Sequence, residues 1–406
     1  MPLPDYDRYA WNTNNEDIPM NELVNEFVDG HRGEIVNILC RLIAANTVNP
    51  PGNEHLAAAI MRAELEPLGI ACTVYEKEPG RTNMVARIGS GRPKVLVACH
   101  FDVVPPGDGW LTDPFTAVVR DGRVWGRGSS DNKGQLAAMI VIAKLLKQHE
   151  PDLIGQVLLA GVADEERGSG LGLEWMADER MLDADFALIP DIDNAMREIS
   201  IAEKGALFIK IVSHGKQAHG STPEKGVNAA WHLIDFLNEV RTLPSAFVPD
   251  PLFTPPTQNL GVLSGGSAPN VVPARCEAQL DFRYLPSQSA DAIEGALCAI
   301  ARRIEQQGTG ARFTFERVMM VEPIKVDPEH ELVRRLRDKA SAVLGRQPAF
   351  KGLSGSTVAK PMVRTGVQAV GFGPGDDGQA HTANESIPIA DLIGFAKVLG
   401  SFLMKD

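Results

Sequence analysis

The stretch "KVLVACHFDVVPPGDGW", residues 94–110, begins as an apolar run of the kind that is buried in a sheet core. It then places His100 and Asp102 two positions apart. Because side chains alternate along a strand, these two residues face the same side. A histidine that binds a metal usually donates its other ring N–H to a carboxylate, which orients the ring. The pair therefore predicts either a metal ligand with its orienting carboxylate or a core histidine beside an acidic turn.

Short apolar runs on both sides of this stretch alternate with helical patterns. The runs "TNMVARIG" (82–89), "GQVLLAGVAD" (155–164) and "DFALIPD" (185–191) are typical of strands. Between them, "GQLAAMIVIAKLLKQH" (134–149) has the length and composition of a helix. This alternation predicts an α/β domain with a mixed sheet flanked by helices. Ligand sites in such sheets gather at strand ends, where the polar residues of this chain fall.

The pattern of the chain changes after Lys204 and changes back near Glu322. We predict a catalytic domain in two segments, 1–204 and 320–406, with a smaller α+β domain, 205–319, inserted between them. The inserted domain is defined by alternating strand and helix patterns at 206–215, 226–243, 275–286, 290–307 and 311–320.

Composition excludes several classes of protein. The formal net charge of −12 argues against binding nucleic acid through its phosphates. The chain has no apolar stretch long enough for a membrane span, and its first residues do not resemble a signal peptide. Its five cysteines include no CxxC pair, so we expect reduced thiols in a cytoplasmic protein.

Further candidate ligands lie at strand ends or in glycine-rich loops. "GRGSSDNKG" places an aspartate just before a helix, and "GVADEERGSG" places three acidic residues after an apolar strand. Histidine and carboxylate ligands without thiolates suit zinc, and also cobalt or manganese. The set is large enough for two ions about 3.5–4 Å apart, which would activate water in a hydrolytic reaction. The candidates are His100, Asp131, Asp164, Glu165, Glu166, Asp191 and His381.

The segment "HFDVVPPGDGWLTDPFTAVVRDGRVWGRGSSDNKG" (100–134) resembles the signature of a family of two-metal amidohydrolases. This family contains acetylornithine deacetylase, succinyl-diaminopimelate desuccinylase, aminoacylase, glutamate carboxypeptidases and some dipeptidases. The resemblance extends over nearly the whole chain. It implies a hydrolase that cleaves an N-acyl amino acid or a small peptide-like amide, and that forms a homodimer through the inserted lid domain.

The resemblance also implies a role for each candidate. His100 and Asp191 would bind one ion, Glu166 and His381 the other, and Asp131 would bridge both. Asp102 would orient His100. Glu165 would be the general base for the attacking water. The peptide bond after Asp131 is expected to be cis.

In the inserted domain, the resemblance implies that His219 stabilises the oxyanion in the partner subunit's active site. Asn270 and Arg283 would hold a carboxylate or carbonyl of the substrate. Without the resemblance, a turn asparagine and a surface arginine paired with Asp281 are the simpler interpretations. In "GLSGSTVAKP", Gly355, Ser356 and Thr357 could bind a substrate carboxylate. Val358 stands where many relatives have an aspartate. Valine at this position would favour a less polar substrate group.

Two other functions stay open. A dipeptidase or carboxypeptidase would use the same metal chemistry and differ in which side of the amide carries the recognised group. A non-catalytic binding protein would lack a ligand or the base, whereas all the expected positions are filled here. A carbamoyl-amide hydrolase fits the 100–134 segment less well.

Overall fold

The computed structural model describes residues 19–191, 194–243, 247–355 and 357–406. Its helices are α1 Met20–Gly30, α2 Arg32–Ala44, α3 His55–Leu65, α4 Lys133–Gln148, α5 Leu173–Asp178, α6 Ala229–Arg241, α7 Ala290–Glu305, α8 Glu331–Leu344, α9 Ala359–Arg364 and α10 Ile389–Leu403. Its strands are β1 Ala71–Glu76, β2 Thr82–Ile88, β3 Lys94–His100, β4 Val118–Arg120, β5 Arg123–Trp125, β6 Gln156–Val162, β7 Phe186–Ile189, β8 Glu198–Glu203, β9 Gly205–His214, β10 Thr257–Gly265, β11 Arg275–Tyr284, β12 Arg312–Val321, β13 Ile324–Lys325, β14 Ala349–Leu353, β15 Gln368–Gly371 and β16 Ser386–Pro388.

The chain divides into two compact units. The larger contains the described residues up to Ile201, together with Val326–Lys351 and Thr357–Asp406. The smaller contains Ala202–Lys325 and residues 352–355. This arrangement, a discontinuous α/β unit with an α+β insertion, is the fold class predicted from the sequence.

Most of a nine-stranded mixed sheet lies in the larger unit, in the order β1-β2-β6-β3-β7-β15-β8-β13, with β14 also paired to β8. Strand β3 runs parallel to β6 and β7, whereas β1, β2 and β8 pair antiparallel to their neighbours. Strands β3, β6 and β7 are almost entirely apolar and buried, as expected for parallel strands covered on both faces. Their carboxyl ends therefore meet at one edge of the sheet.

Helix α4 lies at the centre of the helical packing in the larger unit. It contacts α2, α3 and α10, and its first eleven residues are all buried, which explains a helix that is apolar on nearly every side. Helix α10, whose hydrophobic pattern we did not identify in the sequence, packs against α4, α8 and α1. No helix in the described part of the chain has both the length and the hydropathy to cross a bilayer.

The smaller unit contains a four-stranded antiparallel sheet in the order β10-β11-β9-β12. Burial alternates along β11, so one face of the sheet packs on helices α6 and α7. The core of this unit includes Leu207, Ile209, Leu280, Phe236 and Leu297. Strand β10 was not predicted, because "TQNLGVLSG" lacks the alternation of a half-buried strand; all nine of its residues are exposed.

Candidate active site

The site begins where parallel strands end. His100 is the last residue of β3 and pairs with Val162, the last residue of β6. Gly161 lies beneath this point, and a side chain there would meet the Phe101 ring at 2.0 Å. Glycine at 161 therefore leaves room for the ring of Phe101, which is fully buried.

Asp131 lies between two histidines. Its Oδ1 is 2.9 Å from His100 Nε2, and its Oδ2 is 3.3 Å from His381 Nε2. His381 Nε2 is also 3.1 Å from Glu166 Oε2. Ligand atoms of His100, Asp131 and Glu166 all lie within 4.8 Å of one another. The structure therefore brings together four of the five side chains that were predicted as ligands.

The loop that carries Asp131 is held by its neighbour Asn132. The Asn132 side chain accepts a hydrogen bond from the main-chain N–H of His100 at 3.0 Å and donates one to Pro190 O at 3.0 Å. The peptide between Asp131 and Asn132 is cis, as expected. Through Asn132, the ends of β3 and β7 are fixed to the start of α4. Asp191, the fifth predicted ligand, directly follows Pro190.

Asp102 contacts His100 differently from the expectation. The closer acceptor for His100 Nδ1 is the main-chain oxygen of Asp102, at 2.9 Å, while the Asp102 carboxylate lies 3.6 Å away. That carboxylate accepts hydrogen bonds from the main-chain N–H groups of Glu165 and Glu166, at 3.1 and 3.2 Å. Asp102 therefore connects His100 to the turn that follows β6.

The charges in this cluster shift one another's proton equilibria. Burial alone would lower the pKa of His100, but contacts with Asp102 and Asp131 outweigh it and raise that pKa well above its ordinary value. Hydrogen bonds from His381 to Asp131 and Glu166 raise the pKa of His381 to about 10. Burial works against ionisation of Asp131, yet the two histidines lower its pKa. These directions follow from the short distances between the imidazole nitrogens and the carboxylate oxygens of the cluster.

Glu165, the predicted base, has a different environment. Burial raises the pKa of its carboxyl group well above the ordinary value, and the nearby charges of Asp191 and Glu166 raise it further. Glu165 lies in the Glu165–Arg167 turn, one residue before Glu166.

The predicted lid residues all lie in the smaller unit. His219 is exposed, and its Nδ1 contacts Ser221 Oγ at 2.7 Å. Asn270 is exposed and accepts the Gly220 N–H through its main-chain oxygen. Arg283 pairs with Asp281 at 2.9 Å, which is the contact expected of a surface arginine.

The predicted substrate loop is only partly covered by the structure. Ser356 lies outside the described residues, and Gly355 is exposed in the smaller unit. Thr357 Oγ1 accepts a hydrogen bond from Ala359 N at the start of α9. Val358 is buried, with 7% exposure, so its side chain packs in the protein interior.

Several residues that hold the site were not identified from the sequence. Asn49 donates to Asp102 Oδ2 at 2.9 Å and to Asp164 Oδ1 at 3.0 Å. Arg81 binds both Asp164 and the buried Glu54. Asn49 falls in "NTVNPPGN" (46–53), where two prolines and a glycine indicate a loop and give no sign of a functional side chain. Asp164 was grouped with the candidate ligands, and the structure shows it as the partner of Asn49 and Arg81.

Glu385 and Arg127 form a second buried pair beside the cluster, at 2.8 Å. The sequence feature that could have identified them is their spacing from candidate ligands. Arg127 lies four residues before Asp131 in "RGSSD", and Glu385 lies four residues after His381 in "HTANE". Neither residue was predicted to support the site, because a charged side chain gives no sign of burial in the sequence.

Comparison with known proteins agrees with this geometry. The model of Peptidase family M20/M25/M40 matches residues 96–405. An uncharacterized metallohydrolase of Methanocaldococcus jannaschii is 31% identical over 347 residues, which cover 80% of this chain and 84% of the relative. A succinyl-diaminopimelate desuccinylase of Gluconacetobacter diazotrophicus is 30% identical over 385 residues, covering 89% of this chain and 94% of the relative.

Solved structures share the fold at lower identity. An aminopeptidase of Bacillus cereus superposes with a TM-score of 0.74 at 20% identity, covering 92% of this chain and 98% of that one. An M20 family metallo-carboxypeptidase of Sulfolobus solfataricus superposes with a TM-score of 0.71 at 21% identity, covering 91% of this chain and 98% of that one. The family match and the two sequence relatives confirm the resemblance found in the motifs, and the chain belongs to Peptidase family M20/M25/M40, as a metal-dependent hydrolase of amide bonds.

Proposed function

We propose that this protein hydrolyses the amide bond of an N-acyl amino acid, or of a related small peptide-like amide, with two divalent ions around Asp131. The Asp131 carboxylate is the observation that carries the proposal, because its two oxygens contact two different histidines, at 2.9 and 3.3 Å. A carboxylate placed in this way can serve two ions at once. The similarity to a protein named succinyl-diaminopimelate desuccinylase supports an N-acyl substrate.

The side chains present fit such ions. Glu166 Oε1 is buried and has no hydrogen-bond partner among the residues that the structure describes. A buried carboxylate oxygen without a partner is costly unless a cation completes it. Imidazole and carboxylate donors without a thiolate favour zinc, with cobalt or manganese as substitutes.

We assign His100 and Asp191 to one ion, Glu166 and His381 to the other, and Asp131 to both. When bound, the two ions would polarise the amide carbonyl and acidify the attacking water. Asp102 holds the main-chain N–H groups of Glu165 and Glu166, which keeps the base and a ligand in a fixed relation.

Glu165 is assigned the proton transfers. Its carboxylate would take a proton from the water as the water oxygen bonds to the amide carbon. The same proton would then pass to the leaving nitrogen as the C–N bond breaks, giving a carboxylate and an amine. His219, Asn270 and Arg283, with Gly355, Ser356 and Thr357, are assigned to the oxyanion and the substrate on the strength of their motifs.

The smaller unit supports a homodimer. Strand β10 is an edge strand, and Leu260, Val262 and Leu263 on it are 44%, 43% and 56% exposed. An apolar edge with unpaired main-chain groups is a template for pairing with another strand. We propose that β10 of a second copy pairs with it. We also propose a cytoplasmic location, which suits five cysteines without a disulfide.

The first experiment is hydrolysis of a panel of N-acyl amino acids and dipeptides. Metal-stripped protein is resupplied with zinc, cobalt or manganese and compared with Glu165→Gln. The control variant is Glu64→Gln, which makes the same change in a carboxylate that pairs with Lys144 and Arg41. We expect release of amine from N-acyl amino acids that requires metal, is lost in Glu165→Gln by about 10²–10⁴-fold, and persists in Glu64→Gln.

Turnover of dipeptides alone would instead identify a dipeptidase or carboxypeptidase. If Glu165→Gln kept the wild-type rate, the assignment of the base would be wrong. If the metal-loaded protein bound its ions and turned over nothing in the panel, the proposed N-acyl amino acid substrate would be wrong, and the recognised amide would belong to another class of compound.

A further inference from the structure

Glu385 lies directly before β16 and has a fully occupied carboxylate. The residue is 0% exposed. Its Oε1 accepts hydrogen bonds from Ser130 N at 2.7 Å and Asp131 N at 3.0 Å. Its Oε2 accepts from Gly128 N at 3.0 Å and from Arg127 Nη1 at 2.8 Å. A carboxylate offers about four acceptor sites, so this one has none left for a substrate or an ion.

Three of those four donors are main-chain N–H groups of one loop, the loop that ends in Asp131. In addition, the main-chain oxygen of Glu385 accepts a hydrogen bond from Gly126 N at 3.0 Å. The antiparallel pairing of β5 with β16 continues directly from this contact, with Ser386 opposite Trp125. The Asp131 loop is therefore bound along its length to the segment that contains Glu385.

Arg127 extends the connection to His381. Its side chain is 1% exposed, and its Nη2 lies 3.4 Å from His381 O and 3.2 Å from Pro106 O. The Trp110 ring lies 5.2 Å from its guanidinium carbon. The guanidinium thus contacts the main chain of His381 on one side and the carboxylate of Glu385 on the other.

From this arrangement we propose that the Arg127–Glu385 pair is a positioning pair, which sets the separation between Asp131 and His381. Each member lies four residues from one of these two ligands, Arg127 before Asp131 and Glu385 after His381. The inference deepens the proposed function and rests on it, since both ligands are assigned to the ion that Glu166 completes.

A purely structural role is the alternative explanation. Burying two charges is expensive, and an apolar pair of similar volume often stabilises a fold as well or better. An apolar residue at 385 would leave the N–H groups of Gly128, Ser130 and Asp131 without acceptors. The charge of Glu385 is therefore explained by the loop N–H groups that its carboxylate accepts. Removing this charge should weaken metal binding even in a variant that still folds.

The test is Glu385→Gln in the full chain, with Co²⁺ as the probe. Glutamine has one acceptor oxygen and one NH₂ group. In either orientation its NH₂ group would face two N–H donors that now bind a carboxylate oxygen: those of Ser130 and Asp131, or those of Gly128 and Arg127. Metal-stripped protein is titrated with Co²⁺ against a competing chelator, and the visible absorption of the bound ion is recorded. Glu64→Gln is the matched control. The melting temperature of each metal-free variant reports on the fold.

We expect Glu385→Gln to weaken binding of the second Co²⁺ by about 10–100-fold and to alter its absorption spectrum. kcat should fall by a similar factor, while KM changes less than about threefold. Arg127→Lys, which keeps the charge but loses the planar fork, should give a smaller loss of the same kind. If Glu385→Gln does not fold, Arg127→Lys is used in its place for the Co²⁺ titration and the kinetics.

Wild-type affinity and spectrum in folded Glu385→Gln, with a lower melting temperature alone, would overturn the positioning role. Equal losses in Glu64→Gln would do the same, because they would show an unspecific effect of removing an ion pair. A wild-type protein that binds fewer than two Co²⁺ ions would overturn the proposed function itself, and the positioning role with it.

Discussion

The Asp102 carboxylate accepts a hydrogen bond from the main-chain N–H of Glu165, with 3.1 Å between the two atoms. Its other oxygen accepts the N–H of Glu166 at 3.2 Å. These donors belong to the start of a short helical turn, where main-chain N–H groups have no partner within the turn. Asp102 thus holds the base and a ligand through its carboxylate, and His100 through its main-chain oxygen.

Asp102→Asn is expected to reduce kcat/KM by about 10–100-fold. The asparagine NH₂ group would face the N–H of either Glu165 or Glu166, and one of these donors would lose its acceptor. Steady-state kinetics with the best substrate of the panel measure the effect. Asn49→Ala should give a smaller loss, because it removes one donor to Asp102 and leaves both acceptors. A wild-type kcat/KM in Asp102→Asn would contradict this role.

Gly373→Ala is expected to disturb Asp191. An added Cβ at 373 would lie 1.9 Å from the main-chain oxygen of Asp191, so the backbone must move. We expect a loss of about 1–3 kcal/mol in the free energy of unfolding, with lower kcat/KM. Denaturant unfolding and kinetics measure the two effects.

Gly295→Ala is the control for this substitution. Gly295 lies inside α7, and apart from its chain neighbours and the backbone of α7 itself no described heavy atom comes within 4 Å of the added Cβ. The variant should gain about 0.5–1 kcal/mol in unfolding free energy and keep full activity. If Gly373→Ala also kept full activity, Asp191 would not need its present position.

Leu263→Lys on β10 is expected to abolish the dimer. A lysine ammonium cannot be buried cheaply between two paired edges, and charged edge residues prevent pairing. Light scattering after size-exclusion chromatography gives the molecular mass. Val119→Lys, a change at a 46% exposed position on β4, is the control and should stay dimeric. If the wild type is monomeric and fully active, His219 has no role in a partner's site.

Glu64→Gln is expected to lower stability at neutral pH and not in acid. Burial would raise the pKa of Glu64, but hydrogen bonds from Lys144 and Arg41 outweigh it, so the folded-state pKa lies below the ordinary 4.5. A lowered folded-state pKa contributes stability above the unfolded value, and this is lost as pH falls through the folded value. We expect a difference of about 0.2–1 kcal/mol at pH 7.

Urea unfolding of both proteins between pH 7 and pH 3 measures this difference. The two curves should converge as the pH falls below 4.5. Added salt should reduce the difference at pH 7, because both partners of Glu64 are partly exposed. A difference that is constant over the whole range would show that the ion pair contributes nothing through its charge.

Local pattern was enough to predict much of this protein. The apolar run of β3 predicts that His100 lies at the end of a buried strand, and the apolar runs before Glu165 and Asp191 predict the ends of β6 and β7. The change of pattern after Lys204 indicates an inserted unit. Each of these depends on the order of apolar and polar residues within about ten positions, which the sequence states directly.

Only the tertiary structure decided which distant side chains meet. Asp131 contacts His381 because the pairing of β5 with β16 brings the loop before α4 beside the loop that contains His381, and no local pattern in the sequence predicts that contact. The Asp102 carboxylate accepts a hydrogen bond from the turn after β6, in addition to the contact between Asp102 and His100. The Glu385 carboxylate accepts hydrogen bonds from the loop that ends in Asp131. The physical reason is that a buried carboxylate takes whichever donors the packed chain places around it, and that choice is made when the strands and helices assemble.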